Sequence, residues 1–175
     1  MAASPAPARA PGRFGLRNPR GPILNLQIGF ANPIGHEALK LRTGFRFGVS
    51  LGYELRFGFV TVSPLVNVST TSWGRVTDTL AVQVGARFDY YFTRGALRWN
   101  AWGRSLVGYG RVSGLQASHG LATFHALGAS VHFFRYLGVG LFLEASTVTM
   151  DPNLFVDDKI FSLDLGIIIH GKLPL

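Results

Sequence analysis

Leu39-Lys40-Leu41-Arg42-Thr43-Gly44-Phe45-Arg46-Phe47-Gly48-Val49-Ser50-Leu51-Gly52-Tyr53-Glu54-Leu55 decides how this chain folds. Leu39, Leu41, Phe45, Phe47, Val49, Leu51, Tyr53 and Leu55 alternate with Lys40, Arg42, Gly44, Arg46, Gly48, Ser50, Gly52 and Glu54. A period of two is the signature of a β-strand with two unlike faces. The second face is the unusual one. A strand face turned to water normally carries Thr, Lys and Glu, because glycine costs entropy and packs nothing. Glycine mixed with Arg and Glu instead points to a crowded polar interior, with the oily face turned outward.

The same alternation recurs along the chain. Ile23 to Phe30 sets Leu24, Leu26, Ile28 and Phe30 against Asn25, Gln27 and Gly29, and Asn32-Pro33-Ile34-Gly35 ends it. Further strands are read at about Val60–Ser69, Leu80–Tyr91, Leu97–Arg111, Leu121–Phe133, Val139–Ser146 and Phe161–His170. Pro64 falls inside the third, where it removes a ladder donor. Eight strands result. The connections near Arg56-Phe57-Gly58, Thr93-Arg94-Gly95 and Arg135-Tyr136 are tight. Those after the first, third, fifth and seventh strands are longer, with Thr70–Thr79, Val112–Gly120 and Met150–Asp158 read as polar loops. Short turns on one side and longer loops on the other, with an even strand number and apolar-out alternation, form the pattern of a transmembrane β-barrel. The expected fold class is therefore all-β: an eight-stranded antiparallel up-and-down transmembrane β-barrel over residues 21–175.

Composition agrees. No run approaches the ~20 apolar residues of a membrane helix, so a membrane would be crossed by strands, which requires a closed barrel. The 175 residues include 22 glycines and 14 phenylalanines, and only 15% are charged against roughly 25% in ordinary soluble domains. There is no cysteine, which excludes thiol catalysis, a disulfide framework and Cys-ligated zinc. Met1 is followed by Ala2-Ala3-Ser4-Pro5, read as a mature start from which a secretory signal has been removed. Residues 1–20 are rich in Pro, Ala and Arg and read as a flexible basic tail. Arg9, Arg13, Arg17 and Arg20 supply four of the eight net positive charges, since the first acid is Glu37. No recognition motif accompanies that charge, so nucleic acid is not an expected partner. The expected partners are membrane lipid or lipopolysaccharide and other envelope proteins.

At this point the chain resembles the small bacterial outer-membrane barrels of the OmpA/OmpX type, over about Gly21 to Ile169. The resemblance is architectural and implies a bacterial outer-membrane location. It departs at the end: such barrels commonly finish on an aromatic residue, whereas this chain finishes Lys172-Leu173-Pro174-Leu175.

Two sets of residues follow from the barrel reading. The interior charge network is expected to hold Lys40, Arg42, Arg46, Glu54, Arg87, Asp89, Arg98, Arg104, Glu144 and Asp164. Eight strands leave an interior that side chains fill, and buried charges must pair, so a polar plug joined by Trp102, Phe124 and Phe142 is expected rather than an open pore. Tyr53, Phe57, Tyr90, Tyr91, Trp99, Phe133 and Tyr136 lie near the tight turns and are expected to form one aromatic belt at the periplasmic boundary.

No catalytic, cofactor or metal site is expected. A serine hydrolase needs a Ser, a His base and an acid to orient it. Ser118-His119 are neighbours that point apart in an extended chain, with His125 on the oily side and His132 inward. His119, His125 and His132 lack metal-ligand spacing, and Asp151, Asp157 and Asp158 read as a solvated loop. The role expected is structural or interaction-based, an anchor that presents external loops. A soluble lipocalin-like barrel with an apolar ligand is the alternative, and an outer-membrane lipid-modifying enzyme the third.

Overall fold

In the computed structural model the alternation becomes eight strands: β1 (Gly21–Ile34), β2 (Gly44–Phe57), β3 (Val60–Ser72), β4 (Asp78–Arg94), β5 (Leu97–Ser113), β6 (Ser118–Phe134), β7 (Leu137–Thr149) and β8 (Lys159–Lys172). The structure describes residues 21–35, 41–74, 77–94, 97–114, 117–134, 137–149 and 159–173. The tail of residues 1–20, Lys40, Tyr136, Asp151, Asp157, Asp158 and the Pro174-Leu175 end lie outside them.

Every strand pairs antiparallel with its neighbour in sequence, and β1 pairs with β8, so the sheet closes on itself. Closure leaves no unpaired edge, the condition for strands in a hydrocarbon layer. The connections after β2, β4 and β6 are two residues each, and those on the other side are longer. Gly58 makes one tight turn with φ +64°, a left-handed conformation that glycine adopts without strain.

The alternation fixes which face is which. Leu141 is 64% exposed and Leu165 58%, whereas Arg46 is 1% exposed and Asp164 fully buried. The oily faces are outside, the reverse of a lipocalin-like carrier.

The strands run further than the sequence pattern indicates. Thr70, Thr71 and Ser72 stay in β3, paired with Leu80, Thr79 and Asp78 of β4, so the expected Thr70–Thr79 loop shrinks to residues 73–77. The expected Val112–Gly120 loop likewise shrinks to 114–117. Polarity shortened the reading, but Thr and Ser pair in a ladder as well as Val does. At its start β2 is shorter than expected. Leu41 to Thr43 precede the strand, and Thr43 Oγ1 donates to Asn32 Oδ1 at 2.9 Å. Pro64 is accommodated on the outer face. It pairs with Ala86 on the β4 side, while the β2–β3 pairing is interrupted between Gly52↔Leu65 and Leu55↔Val62, because proline has no N–H to give.

Candidate lumen and outer-wall site

The inward side chains are arranged in layers. In the middle layer Arg46 forms ion pairs with both Glu144 and Asp164, and Arg104 forms one with Glu144. Arg104 also donates to Gln27 Oε1 at 3.0 Å. From Gln27 the bonds continue to Ser50 Oγ, from Ser50 to Asn67 Oδ1 and from Asn67 Nδ2 to Gln83 Oε1. On the other flank Ser162 donates to Asp164 Oδ1 at 2.7 Å. Arg46 lies over the Phe124 ring, 4.0 Å from its centroid, so the cation is held by carboxylates and by an aromatic face.

Nearer the short turns is a second layer. Arg87 and Asn100 both donate to Asp89, and the Arg87 guanidinium sits 4.3 Å from the Trp102 ring centroid. His170 contacts Arg87, Asn25 Oδ1 and Ser130 Oγ and stacks on His132 with ring centroids 6.0 Å apart. Glu54 accepts from Lys172 Nζ and from the Tyr91 hydroxyl, the latter at 3.1 Å. Arg98 lies over the Tyr91 ring at 4.1 Å. A cavity of about 20 Å³ lies among Glu54, Arg87, Asp89, Tyr91, His170 and Lys172, space for roughly one water molecule.

The long-loop end is different. There the lumen is lined by Ala31, Trp73, Ala81, Val112, Ala122, Val148 and Ile160, all buried. Trp73 donates its indole N–H to Thr79 Oγ1 at 2.9 Å. The Gly/Arg/Glu face points to a crowded polar interior; near the long loops the lumen carries mainly these apolar side chains, with buried Thr71, Thr79, Ser118 and Ser146 among them. Trp102, Phe124 and Phe142 point inward and are 4%, 3% and 2% exposed.

Of the ten charges expected inside, Arg46, Glu54, Arg87, Asp89, Arg104, Glu144 and Asp164 are buried in the lumen. Arg98 is half-buried there. Arg42 is a correction. It precedes β2, so the ladder that turns Arg46 inward does not extend to it, and it is exposed. Leu41 beside it packs half-buried against the inner apolar cluster rather than facing outward. Lys172 joins the network although the sequence reading stopped β8 at His170. Its inward parity with Asp164 and His170 was the available signal.

The aromatic belt also needs correction. Tyr53, Phe57, Tyr90 and Phe133 are exposed on the outer wall near the short turns, and Trp99 is half-buried there. Tyr91 is not among them: one residue from Tyr90, it points into the lumen. Phe59, Phe92 and Phe134 are exposed at this end as well. A register shift between His132 and Phe134 turns both Phe133 and Phe134 outward, which strict alternation forbids.

Ser118 and His119 open β6 rather than lying in a loop, Ser118 buried and His119 exposed, so they do point apart. A different Ser–His pair exists on the outer wall. Ser105 of β5 and His125 of β6 are cross-strand partners, and Ser105 Oγ lies 3.0 Å from His125 Nδ1. They border a groove of about 510 Å³ lined mainly by Phe88, Gly103, Leu127, Leu143, Ala145 and Leu163. Among the described residues no group of three or more His, Asp or Glu is placed to hold a metal ion.

No family model and no curated protein matches this chain by sequence. Its fold does match solved structures. Neisserial surface protein A is similar at TM-score 0.63 and 15% identity, covering 87% of this chain and 97% of that one. The outer-membrane enzyme PagL is similar at TM-score 0.50 and 14% identity, covering 86% and 99%. The fold is thus that of the small eight-stranded outer-membrane barrels.

Proposed function

We propose that this chain is a barrel of a bacterial outer membrane that serves as a closed anchor, with its tight turns in the periplasm and its longer connections presented outside. Its role is structural or interaction-based. The observation that carries this reading is the filled lumen. Arg46, Arg104, Glu144 and Asp164 meet at its centre, and the apolar ring around Trp73 stands above them. An eight-stranded barrel has room for side chains and little else. Lipid or lipopolysaccharide surrounds the wall, and other envelope proteins are the expected contacts of the exposed connections.

Reconstituted into planar bilayers, the purified protein is expected to give no stable conductance. Large, reproducible openings from single barrels would overturn the closed reading.

The likeness to an outer-membrane enzyme raises a lipid-modifying activity as the competing function. Two observations weigh against Ser105 and His125 as its centre. Among the described residues no carboxylate lies on the outward face of β5, β6 or β7 to orient the imidazole. The pair also sits at mid-wall, away from where lipid ester groups lie.

A further inference from the structure

Ser105 stands at the centre of β5, with eight residues on either side, and His125 lies near the centre of β6. Both are exposed on the outer wall. The central outward residues of β1, β2, β3, β7 and β8 are Ile28, Leu51, Val66, Leu143 and Leu165, all exposed hydrophobics, and that of β4 is the half-buried Ala86. A polar pair facing hydrocarbon is costly and marks an interaction by default.

The chemistry of the pair defines what it needs. If the Ser105 hydroxyl donates to Nδ1, the imidazole Nε2–H is left over as a donor and the serine oxygen as an acceptor. If Nδ1–H donates instead, the serine O–H is left over as the donor and Nε2 as the acceptor. In either tautomer one donor and one acceptor remain, without a protein partner among the described residues. Lipid oxygens do not meet this need. The apolar band of such barrels is about 25 Å tall, so ester groups lie roughly 12 Å above or below.

We propose that the β5–β6 face binds a second copy of this chain within the membrane. A two-fold axis along the bilayer normal keeps every residue at its own depth and brings like patches together. Ser105 and His125 of one copy then meet those of the other, and the leftover donor and acceptor of each are satisfied. The shape is self-complementary too. Leu127 is 71% exposed, the most prominent large hydrophobic among the described residues, and it stands beside the groove floored by Gly103 and Ala145. Small residues let backbones approach closely where no hydrophobic force drives association. Leu127 of each copy is the knob for the other's groove. The inference rests on the membrane placement proposed above.

Cysteine crosslinking tests it, since the chain has no cysteine of its own. Ala129→Cys, exposed on the same face of β6 and outside the groove, folded into phospholipid vesicles and treated with a short bis-maleimide, is expected to give a covalent dimer. Leu51→Cys, on the wall across the barrel, is expected to stay monomeric. Adding Ser105→Ala and His125→Leu to Ala129→Cys should lower the dimer yield on the order of ten-fold at a fixed protein-to-lipid ratio. Gly103→Leu should abolish it by filling the groove. A Cβ at Gly103 meets Leu127 Cδ2 at 3.4 Å and nothing closer, so that variant is expected to fold. Heat-shifted gel migration reports a folded barrel in each case. Equal crosslinking through Leu51→Cys, an unchanged yield without the polar pair, or a folded but monomeric Ala129→Cys protein would each overturn the dimer. The last includes the outcome in which a photoactivatable acyl chain labels the groove, which would make lipid its occupant. Failure of the unaltered chain to fold into vesicles would instead overturn the membrane placement itself.

Discussion

Arg46 on β2 pairs with Asp164 on β8, although 118 residues separate them in the chain and β1 lies between their strands. The contact reaches over β1, the strand that completes the ring. Replacing Arg46 by Met leaves Asp164 without its cation and Glu144 with Arg104 alone. Removing one partner of a buried ion pair costs about 3–5 kcal/mol, whereas replacing the pair by apolar groups is often near neutral. Arg46→Met is therefore expected to lose that much in equilibrium urea unfolding from vesicles, and Arg46→Met/Asp164→Leu to recover part of it. A loss below about 1 kcal/mol for the single variant would mean the lumen tolerates unpaired charge.

The outer wall gives a depth-dependent expectation. Leu141 is 64% exposed near the middle of β7, and arginine there should cost about 2–4 kcal/mol in the same unfolding measurement. Val60, beside the two-residue β2–β3 turn, should tolerate arginine at a cost of about 0–1 kcal/mol. Equal costs at the two positions would contradict a hydrocarbon band around the barrel.

Gly128 makes room for Trp102. A Cβ there would overlap Trp102 Cζ2 and lie 2.5 Å from the Leu141 carbonyl oxygen. Gly128→Val must displace the indole and break its 3.0 Å bond to Ser130 Oγ. A loss of about 1–3 kcal/mol is expected, with a changed tryptophan near-UV signal. Gly171→Ala is the control, because its Cβ meets nothing nearer than 3.5 Å. It should stay within about 0.5 kcal/mol of the parent.

Tyr90 and Tyr91 are adjacent yet face different solvents. The Tyr91 hydroxyl donates to Glu54, while Tyr90 is 53% exposed on the wall. Tyr91→Phe removes a bond to a charged acceptor and should cost about 1.5–3 kcal/mol. Tyr90→Phe should change stability by about 0.5 kcal/mol or less. A reversed order in thermal or urea unfolding would show that the inward placement of Tyr91 is wrong.

The face of each strand was legible because period two is imposed by the backbone and needs no partner. Arg46, Arg87, Glu144 and Asp164 could be read as inward from parity alone. Strand ends were less legible. Thr70–Ser72 look like loop by polarity but pair with β4, and Leu41–Thr43 look like strand by alternation but precede β2. Tyr91 was misassigned because nearness to a turn was weighed above parity. Phe134 was missed because a register shift breaks parity locally. The partnership of Ser105 with His125 needs register, which depends on where two strands meet across a turn. Parity places both residues outside but does not bring them together. The apolar layer around Trp73 gathers Ala31, Ala81, Val112, Ala122, Val148 and Ile160 from strands scattered through the chain. No single segment signals it.

That layer gives the barrel a preferred side of exposure to its surroundings. At the short-turn end the first inward groups are Lys172, Glu54 and His132, and His132 stacks on His170, which contacts Arg87. At the loop end they are apolar side chains around Trp73, interspersed with hydroxyls such as Thr79 and Ser118 and with no charged group among the described residues. The two mouths of the barrel are therefore unlike: one presents groups that bond water and ions, and the other is packed mainly with apolar side chains.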